Sequence, residues 1–295
     1  MPDISTINGV AIASVAEVNS VAVANISTIM GITKASAAST VYDWDFNSTT
    51  GTSNASAATL PSGWAKADSG NMTVYGSTTD TDIAGYQSTR GWVFTDGEGT
   101  STLTGVGGGM AGGVDATDGA WDATSAAGNT SFRYMLLECS SIKNKPLMMM
   151  RTNELDFSSY STITLHMWIH LYGSAITRFG VACTTDASSA SSAVEAGSNL
   201  GFTGDDTGGC TIQYDSNGDG TLDGSTVRFT SQINTDGDQY NESQTAARKW
   251  RKATIDLSAA AGESSVYIYF LGGTNNVSTY YRGDVSVDSI KIVAG

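Results

Sequence analysis

The sequence predicts an all-β chain, an antiparallel jelly-roll sandwich preceded by a short β-repeat anchoring segment, and three observations predict it. The stretch Ile163 to Tyr172 alternates without a break: Ile163, Leu165, Met167, Ile169 and Leu171 point one way, and Thr164, His166, Trp168, His170 and Tyr172 the other. A period of two is the signature of a strand, because successive side chains leave the pleat on opposite faces. The composition agrees: 34 Gly, 3 Pro and only 15% charged residues in a 295-residue chain crowded with Ser, Thr, Ala and Asn. Helices would want more Leu, Glu and Lys. Finally, residues 1–34 repeat with a period of eleven.

In that repeat Ile4, Val15 and Ile26 align, as do Ile7, Val18 and Ile29, then Val10, Val21 and Ile32. Asn8-Gly9, Asn19-Ser20 and Met30-Gly31 fall at one common offset. An eleven-residue period also suits a right-handed coiled coil. Here the apolar positions spread too widely round a helix, and β-branched residues beside Asn-Gly favour short strands joined by turns. Units this small cannot bury their own apolar sides and need neighbours to complete a core. Residues 1–34 are therefore expected to order against copies of the chain, most simply as a homotrimer, or docked into a larger assembly. Residues 35–40 read as a small, polar linker, and residues 41–295 as the sandwich.

Within the sandwich the first strand begins at Val41 and runs to Phe46. Leu60-Pro61-Ser62-Gly63-Trp64 is a turn leading into another. Residues 97–130, rich in Gly, Asp and Thr around Trp121, form a loop long enough to be functional or ordered by metal. Phe132–Cys139 and Leu147–Met150 are strands that lead into the central one. After Tyr172 come candidate strands at Phe179–Cys183, Cys210–Tyr214 and Thr226–Ile233. Trp250–Leu257 alternates, residues 260–263 turn, Val266–Leu271 is a buried strand, and Asp284–Val293 closes the domain. With 40% hydrophobic residues the chain can build a sizeable core.

The formal net charge of −14 argues against nucleic acid as a partner, since phosphates would be repelled. The densest basic cluster is Arg248, Lys249, Arg251 and Lys252 around Trp250. No run of about 18 apolar residues is present, which argues against membrane insertion. The N-terminus lacks the basic region of a signal peptide, so synthesis and assembly in a cytoplasm are expected. Cys139, Cys183 and Cys210 spell no disulfide framework, although one pair can form in an oxidising space.

The sharpest local motif is Asp215-Ser-Asn-Gly-Asp-Gly-Thr-Leu-Asp223. Asp215, Asn217, Asp219, Thr221 and Asp223 stand at alternate positions, with Gly220 for the tight turn, as at the start of an EF-hand loop. The twelfth position is Thr226 rather than a bidentate Glu, and no helices flank it. Hard oxygens at that spacing can converge on calcium; an acidic hairpin that needs no metal fits the same residues. His166, Trp168, His170 and Tyr172 share one strand face, which is either covered by protein or open to a sugar, whose ring would stack on the aromatics. Two imidazoles four apart on a strand lie about 13 Å apart, too far to share a metal. No Ser/His/Asp triad is readable, and no carboxylate pair flanks a cleft as glycoside hydrolysis requires. An enzyme is not expected. Arg282-Gly283-Asp284 is read as the Gly-Asp that opens the last strand.

The run Ile7 to Asn19, INGVAIASVAEVN, resembles the N-terminal repeats of structural proteins of tailed phages, marine ones especially. That resemblance implies a virion protein assembled in the host cytoplasm, held to capsid or tail proteins through residues 1–34, as a capsid decoration, head fibre or tail-associated protein. The sandwich resembles the MAM domain at Tyr134–Ser141 (YMLLECSS), Leu155–Ser174, Trp250–Ser258 (WRKATIDLS) and Gly283–Ile290 (GDVSVDSI). That resemblance implies a jelly roll with an adhesion or recognition role and no catalysis, although the MAM cysteine pairs are not reproduced. It also implies a second calcium site, shared by Asp45 of the first strand and Asp288 of the last, with Asp115 and Asp118 supplying the rest. The reading is a phage structural protein that displays a jelly roll, able to touch host-surface polysaccharide. The alternative is a secreted bacterial carbohydrate-binding or adhesion module.

Overall fold

The computed structural model describes residues 38–46, 61–66, 91–95, 134–138, 148–173, 176–185, 209–234, 250–274 and 284–295, and six two-residue strands within the first 33 residues. Those six are β1 (Thr6–Ile7), β2 (Val10–Ala11), β3 (Glu17–Val18), β4 (Val21–Ala22), β5 (Thr28–Ile29) and β6 (Ile32–Thr33). They pair as three separate antiparallel hairpins in one repeated register: Ile7 opposite Val10, Val18 opposite Val21, Ile29 opposite Ile32. Asn8-Gly9, Asn19-Ser20 and Met30-Gly31 fall in sequence between the paired strands and lie outside the described residues. Of the nine repeat positions, Ile7, Val10, Val18, Val21, Ile29 and Ile32 sit at the facing hairpin positions. Ile4, Val15 and Ile26 lie outside the described residues.

The sandwich is built from β7 (Ser39–Trp44), β8 (Ala65–Lys66), β9 (Gly91–Thr95), β10 (Tyr134–Glu138), β11 (Met148–Arg151), β12 (Ile163–Tyr172), β13 (Ile176–Thr184), β14 (Ile212–Tyr214), β15 (Gly224–Thr226), β16 (Arg251–Asp256), β17 (Tyr267–Thr274) and β18 (Asp284–Ala294). The larger, eight-stranded sheet runs β15-β14-β16-β12-β18-β10-β9, and β7 also pairs with β18. The four-stranded sheet runs β13-β17-β11-β8. Every ladder is antiparallel. β12 sits between β16 and β18, at the middle of the larger sheet, as its uninterrupted alternation predicts. β18 pairs with β12 along one edge and divides the other between β10, at Val285–Val287, and β7, at Ile290–Ala294. A bulge allows this: the register shifts between His166 and Trp168, and Ser289 takes φ 49°.

The inner faces of the two sheets form one core. Leu165, Met167 and Ile169 of β12, Ile255 of β16, and Val287 and Ile290 of β18 belong to it, with Phe179 and Val181 of β13 and Ile268 and Phe270 of β17 from the other sheet. At one end rings close the gap between the sheets. Trp64 stacks on Phe270 at 6.1 Å, and Phe46 lies against Phe94 at 4.9 Å. Such ring pairs contribute about 0.5–1.5 kcal/mol beyond their burial. Gly272 of β17 has no side chain because a Cβ there would collide with Leu137 of the facing sheet.

Three sequence expectations need correction. β7 begins at Ser39, inside the predicted 35–40 linker, because Ser39 and Thr40 still find β18 partners in Ala294 and Val293. The predicted strand Thr226–Ile233 is not one: after β15 the Thr226 hydroxyl donates to the Arg228 carbonyl at 2.8 Å and accepts its N–H at 3.1 Å, a local turn. The chain then crosses to the other sheet, where Phe229 bridges to Phe179. Finally, β9 occupies Gly91–Thr95, where the sequence pattern predicts no strand. Among the described residues no helix is long and apolar enough to cross a membrane.

Candidate functional site

Residues 215–223 form the loop of the β14–β15 hairpin, at the edge of the larger sheet. Asp215, 2% exposed, is its keystone. Its Oδ1 accepts the N–H groups of Asn217 (3.2 Å) and Gly218 (2.6 Å), and its Oδ2 accepts that of Gly220 (2.9 Å). Asp and Asn side chains compete in this way for nearby backbone donors and so stabilise turns. The pattern continues outward. Asn217 Oδ1 accepts from Asp219 N–H at 2.8 Å, and Asp219 Oδ1 accepts from Thr221 N–H at 2.8 Å. Asp223 closes the loop, its two oxygens accepting the N–H (2.8 Å) and hydroxyl (3.1 Å) of Ser216. Gly218 and Gly220 take φ of 85° and 90°, left-handed backbone that favours glycine.

The hydrogen bonds set the charge of this loop. The Thr221 N–H, with the Asn217 amide, holds the Asp219 carboxyl below the usual carboxylate range, and Ser216 does the same for Asp223. Two cations on β16 back the loop. Lys252 Nζ donates to the Gly220 carbonyl at 3.0 Å, and the Arg251 guanidinium fills the space a side chain at Gly218 would need. Burial lowers the Lys252 pKa, and Asp215 works against that. The sequence shows this basic pair, but only the β14–β16 pairing sets it beside the acidic loop. Among the described residues no three His, Cys, Asp or Glu side chains come together as a metal centre. A cation here would draw on Asn217, Thr221 and backbone oxygens as well, all hard donors of the kind calcium takes. Ser216, Asn217, Asp219, Thr221, Leu222 and Asp223 are exposed, Leu222 at 38% the most apolar of them.

The second candidate, the outer face of β12, is closed at Trp168 and His170. Trp168 is 3% exposed and His170 0%, so these two are not the open sugar platform the alternation allowed. They lie outside the inter-sheet core and pack on its far side. His170 meets Trp250 edge-to-face at 6.2 Å, and Tyr134 meets Trp250 likewise at 5.6 Å. Across the ladder Trp168 lies opposite Lys252 on one neighbour and Asp288 on the other. His166 and Tyr172 are half-buried, and burial, then the facing Lys291, depresses the His166 pKa. Tyr267 and Tyr269 do not extend this face, because β17 belongs to the other sheet.

Asp45 and Asp288 are brought near each other by register, Asp45 following the Trp44–Ile290 pair and Asp288 preceding the bulge. Asp288 is 0% exposed and its Oδ1 accepts the Ser289 N–H at 2.6 Å, whereas Asp45 is exposed. Asp115 and Asp118 lie outside the described residues. The two candidates are thus one exposed, internally braced polar loop and one strand face buried at Trp168 and His170 and half-buried at His166 and Tyr172.

No family model matches the chain, and no curated protein does. Among solved structures, the chain is similar to the K1 cleaved adhesin domain of Lys-gingipain from Porphyromonas gingivalis W83. The two are 14% identical with a TM-score of 0.42, over 87% of this chain and 99% of that one. It is also similar to the K2 cleaved adhesin domain of Lys-gingipain, at 15% identity and a TM-score of 0.38, over 88% and 99% of the two chains. The K3 domain of the same protein gives 13% identity and a TM-score of 0.38, over 86% and 99%.

Proposed function

We propose that the chain is a non-catalytic adhesion module that touches surface polysaccharide through the 215–223 loop. The observation that supports this is the bracing of that loop. Its exposed Ser216, Asn217, Asp219, Thr221 and Asp223 present several hydrogen-bonding groups in fixed positions, beside the apolar Leu222, on a buried Asp215 hub. Sugar recognition uses a few well-placed polar groups with an apolar contact, and a preformed loop spares the ordering cost of binding. A single site of about 1 mM corresponds to about 4 kcal/mol, and copies held together raise the avidity far above that.

The three hairpins favour a second, finer reading: residues 1–34 assemble the module on a phage particle, as a homotrimer or against capsid or tail proteins. An isolated two-stranded hairpin is marginal in water, and each of these pairs one β-branched residue with another in the same register. A mass-spectrometric inventory of purified virions tests that placement, and absence of the chain from them overturns it. The adhesion reading is tested by retention of the full chain on a panel of immobilised bacterial polysaccharides, alongside the Asn217→Ala/Thr221→Ala/Leu222→Ala variant. Loss of retention with an unchanged melting temperature is expected. Equal retention of the variant, or no retention of either, sinks the reading.

A further inference from the structure

Cys183 and Cys210 sit in the sandwich core, 1% and 3% exposed, and both are free thiols. Only Cys183 belongs to a sheet strand; Cys210 lies in the segment that leads into β14. Cys183 is the penultimate residue of β13 in the four-stranded sheet, and Cys210 stands two residues before β14 in the eight-stranded one. Their backbones nonetheless run side by side. Cys210 N–H donates to the Val181 carbonyl at 2.8 Å, on the edge of β13 not paired with β17, and Cys183 N–H donates to the Cys210 sulfur. Neighbouring extended segments lie about 4.8 Å apart, within the range of about 4.4–6.8 Å between Cα atoms that a disulfide spans. Gly209, just before, has room for no side chain, since a Cβ there would press on the Val227 carbonyl at 2.5 Å; the segment is held against β13 from both sides.

We propose that Cys183 and Cys210 form a latent disulfide that staples β13 to the segment leading into β14, and that the redox state in which the chain folds decides whether the staple is set. The co-reactant is a small-molecule disulfide such as oxidised glutathione. One cysteine thiolate attacks it, releasing one glutathione thiol and leaving a mixed disulfide. The second cysteine then displaces the other glutathione, so two thiols are oxidised and one disulfide is reduced to two thiols. In the folded chain the reaction is suppressed. Burial raises the Cys210 thiol to about 12 and pushes Cys183 up as well, and thiolate is the reacting form. During folding both sulfurs are exposed. Closing residues 183–210 removes loop entropy from the unfolded chain, which favours the stapled fold.

The full chain, unfolded in denaturant with reductant and then refolded in oxidised and reduced glutathione, tests this. Peptide mapping after alkylation is expected to find a Cys183–Cys210 bond, with Cys139 still alkylated. The stapled protein should melt about 5–10 °C higher than protein refolded in reductant, and Cys183→Ala should erase that difference. Chain folded in reductant first, then given the same glutathione mixture, should acquire the bond at least about tenfold more slowly. Alkylation of both Cys183 and Cys210 after oxidative refolding, or a bond through Cys139, overturns the pairing. Equal rates in the folded and refolding chain overturn the claim that folding sets it.

Discussion

Trp168, His166 and Asp215 decide what the two candidate surfaces are. Trp168 points away from the inter-sheet core yet is 3% exposed, so it behaves as a second core residue. Trp168→Ala should cost about 3–5 kcal/mol in a denaturant melt and leave polysaccharide retention per folded molecule unchanged. A stable variant that no longer binds would return the sugar site to this face. His166 makes a pH prediction. Its folded-state pKa lies below the ordinary value of 6.5, through burial and then Lys291 across the ladder, while Asp43 stands 3.4 Å from that lysine. The unfolded chain therefore takes up a proton that the folded chain resists. This contribution to stability is whole above about pH 6.5 and declines as pH falls through that value. His166→Gln should flatten the fall in melting temperature between pH 7 and 5; a slope identical to wild type would show that His166 does not cause it.

At the scale of elements, the β14–β15 hairpin and the N-terminal hairpins carry their own predictions. Gly218 takes φ 85° with the Arg251 guanidinium against it. Gly218→Ala should cost about 1–2 kcal/mol for the left-handed backbone alone and more because Arg251 must move, which thermal unfolding reads directly. We also propose that the loop binds calcium, through Asp215, Asn217, Asp219, Thr221 and Asp223. Binding to the folded state alone stabilises it by about 2.7 kcal/mol at a hundredfold excess over Kd. The melting temperature should rise with free calcium in the wild type and not in Asp219→Ala. An equal response in both removes calcium from this loop; the braced hairpin, with Lys252 and Arg251 beside it, then stands without metal.

For the whole molecule, the question is how a closed sandwich and three separate hairpins share one chain. The sandwich buries its own apolar faces between its sheets. Each hairpin pairs an Ile or Val with another across its two strands and joins neither sandwich sheet, and a two-stranded unit that small is marginal alone. Removing residues 1–34 should leave a folded monomer that melts as the full chain does, while the full chain forms a larger species, most simply a trimer. Light scattering decides; one oligomeric state for both would show that the hairpins do not assemble the protein.

The sequence by itself determined what short-range periodicity can carry. β12 spans the residues its alternation marks, and strands of the eleven-residue repeat pair as three hairpins in one register, because side-chain period and β-branched content are local properties of the chain. The all-β antiparallel sandwich followed from the same signals. The loop at Asp215–Asp223 was legible as a motif for that reason too. What only the tertiary structure decided was which faces and neighbours meet. Alternation says that Trp168 and His170 share a face, but their closure depends on what covers them, and Tyr267 and Tyr269 alternate just as well on the opposite sheet. Arg251 and Lys252 reach the acidic loop only because β16 lies beside β14, and Cys210 reaches β13 only because the chain returns along the edge of β13 not paired with β17. Strand order is set by contacts far apart in sequence, which no local pattern encodes.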